Sequence, residues 1–250
     1  AQHPDIAATI AAIDTTSAPA AADAADLIER AFKRYRAHFP EEPIPALVWM
    51  NSAFNYAVYP TPEYLAVGLD WFLGSDHPIV GQLAPEVFPR YLRDRMDPEF
   101  LAADALRGWL LVHFAERHHR SESCADELLF WGKVLFVLDQ LAPDLEDRLW
   151  MDWDADQMAW AIENERAVWL QLQPQSILFE RDPGRYNRWF MEGPFTRAAN
   201  IPQSSPDRLG AWMGYRIVAD FMAEHPELTL ADLLEWTDPT PVLKAYRPDR

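Results

Sequence analysis

The chain has few of the residues on which several classes of protein depend. It contains one cysteine, Cys124, so neither a disulfide framework nor a cysteine-based metal site is expected. Its nine glycines leave little room for a glycine-rich phosphate loop, and no serine lies in a G-x-S-x-G sequence. No run of eighteen apolar residues occurs. The sequence therefore predicts no membrane-spanning helix.

Basic residues are also scarce. Lysine and arginine number 22 against 39 aspartates and glutamates, which gives a net charge of −17 and a pI near 4.7. Such a surplus repels phosphates, so nucleic acid is excluded as a partner, and an anionic membrane surface is unattractive without a lipid anchor. An acidic surface of this kind is typical of proteins that stay solvated in a salty habitat.

Apolar and aromatic residues, in contrast, are plentiful. They make up 49% and 13% of the 250 residues, which is enough to bury a full core. The first 22 residues show little periodicity, and we predict a poorly structured segment over 1–22 followed by a single domain over 23–250. Residue 1 is Ala, and no signal-peptide pattern is present, so we expect a mature or trimmed product.

Hydrophobic periodicity predicts a mostly helical α+β fold, in which a small antiparallel or mixed sheet near the N-terminus packs on a helical bundle. Strands are expected at 46–50, 56–59 and 64–68, with Pro60 and Pro62 in the connecting turn. Helices are expected at 23–39, 98–117, 124–140, 156–172, 185–190, 206–223 and 230–236.

The helix expected at 206–223 has an unusual composition. Ser205-Pro-Asp207 suits an N-cap and a first turn. Gly210 and Gly214 lie four residues apart on one face, and each costs about 1 kcal/mol of helix propensity relative to alanine. We therefore expect this face to pack at short distance against a neighbour, the helix at 124–140.

Histidines are the first candidates for a metal site. A zinc-peptidase helix carries H-E-x-x-H, which places two ligands on one face. His113 and His118 are five residues apart, roughly 140° around a helix, so they cannot hold one ion together. His118 and His119 are adjacent and point apart. We interpret both as surface or helix C-terminal residues and expect neither a metal nor another cofactor.

Carboxylates are the second candidates. Glu163 and Glu165 diverge on a helix, and we interpret them as a solvated face with one side chain turned inward to an arginine. Asp70 follows a strand, where a carboxylate more often satisfies the N–H groups of a turn than takes part in catalysis. A hydrolase in which Asp70, Glu163 and Glu165 converge in the fold remains an alternative.

Several short segments, in order over roughly residues 45–248, resemble the gliding-motility lipoprotein family GldB of the Bacteroidota. They are Val67-Gly-Leu-Asp-Trp-Phe-Leu-Gly74, Pro89-Arg-Tyr-Leu-Arg-Asp-Arg-Met96, Gly132-Lys133 with Phe136–Asp139, Glu163-Asn-Glu165 with Trp169, Gly193-Pro-Phe-Thr196, Ser205-Pro-Asp-Arg208 with Gly214-Tyr-Arg-Ile-Val218, and Leu233-Leu234 with Thr237-Asp238.

The resemblance implies an exported protein that a lipid, on a cysteine outside this text, anchors at the periplasmic face of the outer membrane. It also implies a role in gliding motility or type 9 secretion. The implied partners are envelope or secretion-system proteins, with an extended peptide as a further candidate. A purely structural component of such an assembly is the other alternative.

The family is also distantly similar to zincin-type peptidases, which would carry H-E-x-x-H on the helix at 98–117 and a glutamate ligand on the next helix. Here Trp109-Leu-Leu-Val-His113 replaces the motif, and Trp131 stands where the glutamate is needed. The resemblance thus implies a degenerate zincin-like fold and a non-catalytic protein. The cleft is expected to persist as a binding groove between the sheet and the helices. Its candidate residues are Trp109, His113, Trp131, Tyr215, Asp70 and Glu163; packing of the aromatic ones in the core is the alternative.

Overall fold

Helices account for most of the protein, and the predicted mostly helical α+β fold is confirmed. The computed structural model describes residues 4–119 and 122–248. The helices are α1 (Pro4–Thr15), α2 (Ser17–His38), α3 (Pro78–Gly81), α4 (Arg90–Arg93), α5 (Leu101–His118), α6 (Cys124–Leu141), α7 (Asp147–Trp150), α8 (Ala155–Leu172), α9 (Gln175–Leu178), α10 (Pro183–Tyr186), α11 (Leu209–Glu224), α12 (Leu230–Glu235) and α13 (Pro239–Ala245). Short 3-10 turns occupy Leu69–Phe72, Pro98–Phe100 and Asn187–Trp189.

The chain divides into two compact units. The first consists of residues 1–113 and 141–152, and the second of residues 114–140 and 153–250. The single domain expected over 23–250 stays a prediction. Within the described residues, no helix has both the length and the apolar character needed to cross a membrane.

The N-terminal residues are helical, so the prediction of a poorly structured segment over 1–22 is wrong for its described part. The helix α1 occupies Pro4–Thr15, and α2 begins at Ser17. This alanine-rich stretch has a high helix propensity. Tertiary packing adds to it, because α1 lies against α2 and against the 3-10 turn at Leu69–Phe72. A contact with a segment so distant in sequence leaves little periodicity to recognise.

A three-stranded mixed sheet lies in the first unit. Its strands are β1 (Ala46–Met50), β2 (Val58–Pro60) and β3 (Tyr64–Gly68), in the order β1-β3-β2. β1 is parallel to β3, with Val48 opposite Ala66, and β2 is antiparallel to β3. The expected bounds of β1 and β3 are confirmed, whereas β2 begins at residue 58 instead of 56 and includes Pro60. Proline is tolerated there because β2 is an edge strand.

Two long apolar helices, α6 and α11, form the centre of the second unit. α6 begins at Cys124 as predicted, and α11 packs against α8 and α13. The apolar residues of both helices are almost fully buried, among them Val134, Leu138, Met213, Ile217 and Phe221. α8 begins after Asp154, whose carboxylate and Gln157 form a reciprocal capping box, and α12 begins after the predicted cap Thr229.

The start of α11 differs from the expected one. The helix begins at Leu209, and its N-cap is Arg208, which has a left-handed backbone (φ 52°). Ser205 is buried, and its hydroxyl forms no hydrogen bond with a described residue. Asp207 is recruited elsewhere, as shown below. The prediction of an N-cap at Ser205 is therefore wrong, because tertiary hydrogen bonds hold residues 205–208 outside the helix.

Candidate functional site

Asp70 holds a loop in place. It lies in the 3-10 turn after β3 and is completely buried. Its carboxylate accepts hydrogen bonds from the backbone N–H of Ser52 (2.9 Å), the Ser52 hydroxyl and the backbone N–H of Phe54. Ala53 and Phe54 both have positive φ, so Asp70 stabilises a turn that is otherwise strained. The interpretation that Asp70 satisfies the N–H groups of a turn is confirmed.

Trp109 and His113 contact each other in the first unit. Their rings stack at 5.2 Å, and Trp109 also packs edge-on against Phe32 and Tyr35. The Trp109 side chain is 3% exposed. His113 Nε2 lies 2.8 Å from the Tyr35 hydroxyl and 3.6 Å from a carboxylate oxygen of Glu42. Trp109 therefore belongs to the core of this unit, and a hydroxyl and a carboxylate hold the His113 ring.

Trp131 and Tyr215 lie in the second unit. Trp131 is half-buried on α6, and Tyr215 is buried on α11 beside Trp212, with 5.6 Å between ring centroids. The Tyr215 hydroxyl donates a long hydrogen bond of 3.5 Å to the Asp139 carboxylate. Burial raises the pKa of Asp139 above its ordinary value, and the hydrogen bonds from neighbouring side chains only partly oppose this shift.

The two glutamates of α8 have different surroundings. Glu163 is exposed, whereas the Glu165 side chain is 12% exposed. Glu165 accepts hydrogen bonds from Arg216 Nε (3.0 Å) and from the Tyr246 hydroxyl (2.7 Å). Burial, together with this hydrogen bond, raises the pKa of Tyr246. The prediction that one glutamate turns inward to an arginine is confirmed, and Glu165 fixes the C-terminal residues to α11.

Of the six predicted groove residues, Asp70, Trp109 and His113 thus belong to the first unit, and Trp131, Glu163 and Tyr215 to the second. Only Trp109 and His113 are joined by a contact described above. A common groove formed by all six stays a prediction.

Histidine and cysteine chemistry is accounted for by local partners. His118 ends α5, and His119 follows it with Nε2 2.7 Å from the Glu127 carboxylate, which raises the pKa of His119. Cys124 is buried, and burial raises the pKa of its thiol to about 12, so it remains protonated. Among the described residues, no group of three or more histidine, cysteine, aspartate or glutamate side chains is arranged to hold a metal ion.

The sequence motifs 193–196 and 205–208 fold onto each other in the second unit, which the sequence analysis did not anticipate. Asp207 accepts hydrogen bonds from the backbone N–H of Gly193 (2.9 Å) and from Trp153 Nε1 (3.1 Å). The Thr196 hydroxyl donates to the Pro206 carbonyl and accepts from the Leu209 N–H. Both side chains are fully buried, so this network has a structural role.

The outer face of the sheet was also missed as a candidate site. Tyr64 is 50% exposed, and Tyr59 on the neighbouring strand is 49% exposed, while Leu65 and Val67 between them in the pleat are fully buried. Tyr56 packs against Tyr59 with ring centroids 5.1 Å apart. The alternation of exposed and buried residues in β3 was the available signal. Aromatic residues that face solvent on one side of a sheet typically mark a binding surface.

Comparison with known proteins gives one result. The sequence profile of a family described as gliding motility protein GldB matches residues 4–248. The search of curated proteins found no match, and neither did the search of solved structures. The family match includes every helix and strand described above, whereas the similarity to zincin-type peptidases stays a prediction.

Proposed function

Because this chain belongs to the GldB family of gliding-motility proteins, we propose that it acts in motility by binding a partner, without catalysis. Membership of the family makes it a gliding-motility-related lipoprotein of the cell envelope. Anchoring at the periplasmic face of the outer membrane and a link to type 9 secretion are parts of the proposal. The observation that carries it is the solvent-facing aromatic surface of the sheet beside an open strand edge.

The surface is built by strand register. Ala46 and Val48 on β1 lie beside Tyr64 and Ala66 on β3, and Tyr59 on β2 lies opposite Ala66. These residues share one face of the pleat. The face has no charged side chain, although the chain as a whole has a net charge of −17. We name it the tyrosine face and define it by Val48, Tyr59, Tyr64 and the adjoining Tyr56.

The edge of β1 adds a row of backbone groups. The Ala46 N–H donates to the Glu63 carbonyl, on the side toward β3. Because consecutive residues of a strand point their N–H and C=O groups to opposite sides, Leu47 and Trp49 direct theirs to the open edge. An added strand could bond to these groups while its side chains meet the tyrosine face. Such strand addition takes its affinity from backbone hydrogen bonds and its specificity from side chains.

The proposed partner is an extended segment of an envelope or secretion-system protein. The acidic surplus favours a segment with basic residues, since opposite charges steer encounter. The carboxylates give hydrolysis less support. Asp70 is fully buried in a turn, and Glu165 is held by Arg216 and Tyr246. A hydrolase and a purely structural component remain the rival proposals.

The test uses a motile host that depends on this protein, with variants produced at wild-type level in the envelope fraction. Leu47→Pro removes one edge N–H but leaves the Ala46 and Val48 bonds to β3. Tyr59→Ser with Tyr64→Ser removes half-exposed rings. We expect both variants to abolish colony spreading, whereas Leu170→Ser, which removes an exposed apolar side chain on α8, should spread normally.

Normal spreading by both variants would contradict the proposal that this surface binds the partner. In that case loss of spreading in an Asp70→Asn variant of unchanged stability would favour the hydrolase. Normal spreading by all of these variants would favour the structural component.

A further inference from the structure

A second, separate site is present in the second unit. A cavity of about 250 Å³ opens between α9, α10, the 3-10 turn at Asn187–Trp189 and residues 198–199. Apolar atoms form most of its lining, and the rings of Tyr186 and Trp189 contribute to it. We propose that this cavity binds a small carboxylic acid that carries one apolar group of ring size, with Arg188 as the cation that pairs with the carboxylate.

The wall formed by the aromatic rings is rigid. Tyr186 is 1% exposed and Trp189 2% exposed, so both rings are fixed by surrounding atoms. Gly210 of α11 packs directly against the backbone of Trp189, where a Cβ would lie 2.9 Å from the Trp189 carbonyl oxygen. Asp182 caps α10 by accepting from the Gly184 N–H at 2.9 Å. A cavity whose walls are already ordered loses little entropy when a ligand binds.

The charge around the cavity is opposite to that of the chain. Residues 181–197 contain four arginines and two acidic residues, a local charge of +2, whereas the whole chain carries −17. Arg185, at the rim, is already paired with Glu180 at 3.1 Å. Arg188 is exposed, and no hydrogen bond or ion pair joins its guanidinium to another described residue. Arg188 is therefore available to an anion, for which guanidinium offers two parallel N–H donors.

The size of the cavity restricts the apolar group. Cavities for drug-sized ligands span about 300–1,000 Å³, and this one lies just below that range. It suits one ring or one branched side chain, and a long acyl chain would not fit. The aromatic wall favours a ring, because offset or edge-on aromatic contacts add to the burial of apolar area. An aromatic carboxylate of amino-acid size satisfies both the apolar wall and Arg188.

The experiment titrates the full chain with 3-phenylpropionate and with its uncharged analogue 3-phenylpropanamide, and follows binding by calorimetry and by protein chemical shifts. We expect the acid to bind roughly tenfold or more tightly than the amide, the difference expected for one charge-assisted hydrogen bond. Arg188→Gln should reduce the affinity for the acid to that for the amide, while the affinity for the amide stays unchanged. Arg181→Gln is the matched control, since Arg181 is exposed in the same segment but does not line the cavity.

A second variant tests the cavity itself. Ser176 is exposed at its mouth, so Ser176→Trp should fill the opening without disturbing the core and should abolish binding of both compounds. Equal affinities for acid and amide, an unaffected Arg188→Gln variant, or no binding by either compound would overturn the proposal. A peptide ending in phenylalanine that binds more than roughly tenfold tighter than the free acid would overturn the small acid as occupant. Spreading assays of the sheet variants are independent of this outcome.

Discussion

Gly132 of α6 and Gly214 of α11 face each other at a crossing where neither helix leaves room for a side chain. A Cβ on Gly132 would lie less than 3.0 Å from the Gly214 carbonyl oxygen, and a Cβ on Gly214 would lie as close to the Leu128 carbonyl oxygen. Both obstacles are backbone atoms, which cannot move aside as the end of a flexible side chain can. The expected close packing of Gly214 on the helix at 124–140 is confirmed, whereas Gly210 packs against Trp189 and Phe190.

Replacement of Gly214 by alanine should therefore destabilise the protein. Alanine gains about 1 kcal/mol of helix propensity, but the overpacked crossing should lower the free energy of unfolding by about 1–3 kcal/mol overall. Chemical denaturation measures the change. The control is Gly81→Ala in α3, where no atom lies within 4 Å of the added Cβ and stability should not fall. A Gly214→Ala variant as stable as the Gly81→Ala variant would show that the two helices can separate at little cost.

Asp70→Ala should unfold more easily than the wild type. The substitution leaves the buried N–H groups of Ser52 and Phe54 without their acceptor, and we expect a loss of at least about 2 kcal/mol in the free energy of unfolding. Asp76→Ala removes an exposed carboxylate a few residues later and serves as the control, with no measurable change expected. Equal stabilities of the two variants would contradict the role of Asp70 in holding the loop.

His119→Phe should have a pH-dependent effect on stability. The Glu127 carboxylate raises the pKa of His119 in the folded protein above its ordinary value of 6.5, although burial partly opposes the shift. Protonated His119 therefore stabilises the fold fully below the unfolded pKa, and this contribution is lost as the pH rises through the folded pKa. Phenylalanine keeps the stacking on Phe130 but cannot carry the charge.

We accordingly expect the stability deficit of His119→Phe to be largest near pH 5–6 and to shrink above about pH 8, as measured by denaturation over a pH series. His38→Phe alters an exposed histidine without a carboxylate partner among the described residues, and its effect should not follow this profile. A deficit in His119→Phe that is constant from acid to alkaline pH would show that the Glu127 pair does not stabilise the fold.

Added salt should stabilise the wild-type protein. With 39 acidic residues against 22 basic ones, carboxylates repel one another over the surface, and salt shortens the range of this repulsion. The thermal midpoint should rise from dilute buffer to about 1 M potassium chloride, mostly at the low end where screening changes fastest. A flat or falling midpoint would mean that the acidic surface is not an adaptation to salt.

Much of the local structure was predictable because it depends on neighbours in sequence. The bounds of β1 and β3, the start of α6 at Cys124 and the cap at Thr229 each reflect local propensity, alternation or a capping hydroxyl. The inward turn of one α8 glutamate also followed from the helical period, because positions 163 and 165 cannot face the same way. The short helices α3, α4, α7, α9 and α13 were missed, since one or two turns leave too little periodicity.

The sequence by itself determined the mostly helical character, the strands β1 and β3, the acidic surface and the family, since these depend on composition, period and motif order. Only tertiary structure decided which partner each residue meets. Gly210 and Gly214 look alike in sequence, yet one meets a 3-10 turn and the other α6. Ser205 resembles a helix cap, but the hydrogen bonds of Thr196 and Asp207 hold that segment outside α11. Such contacts join residues far apart in the chain, and no local period or propensity records them.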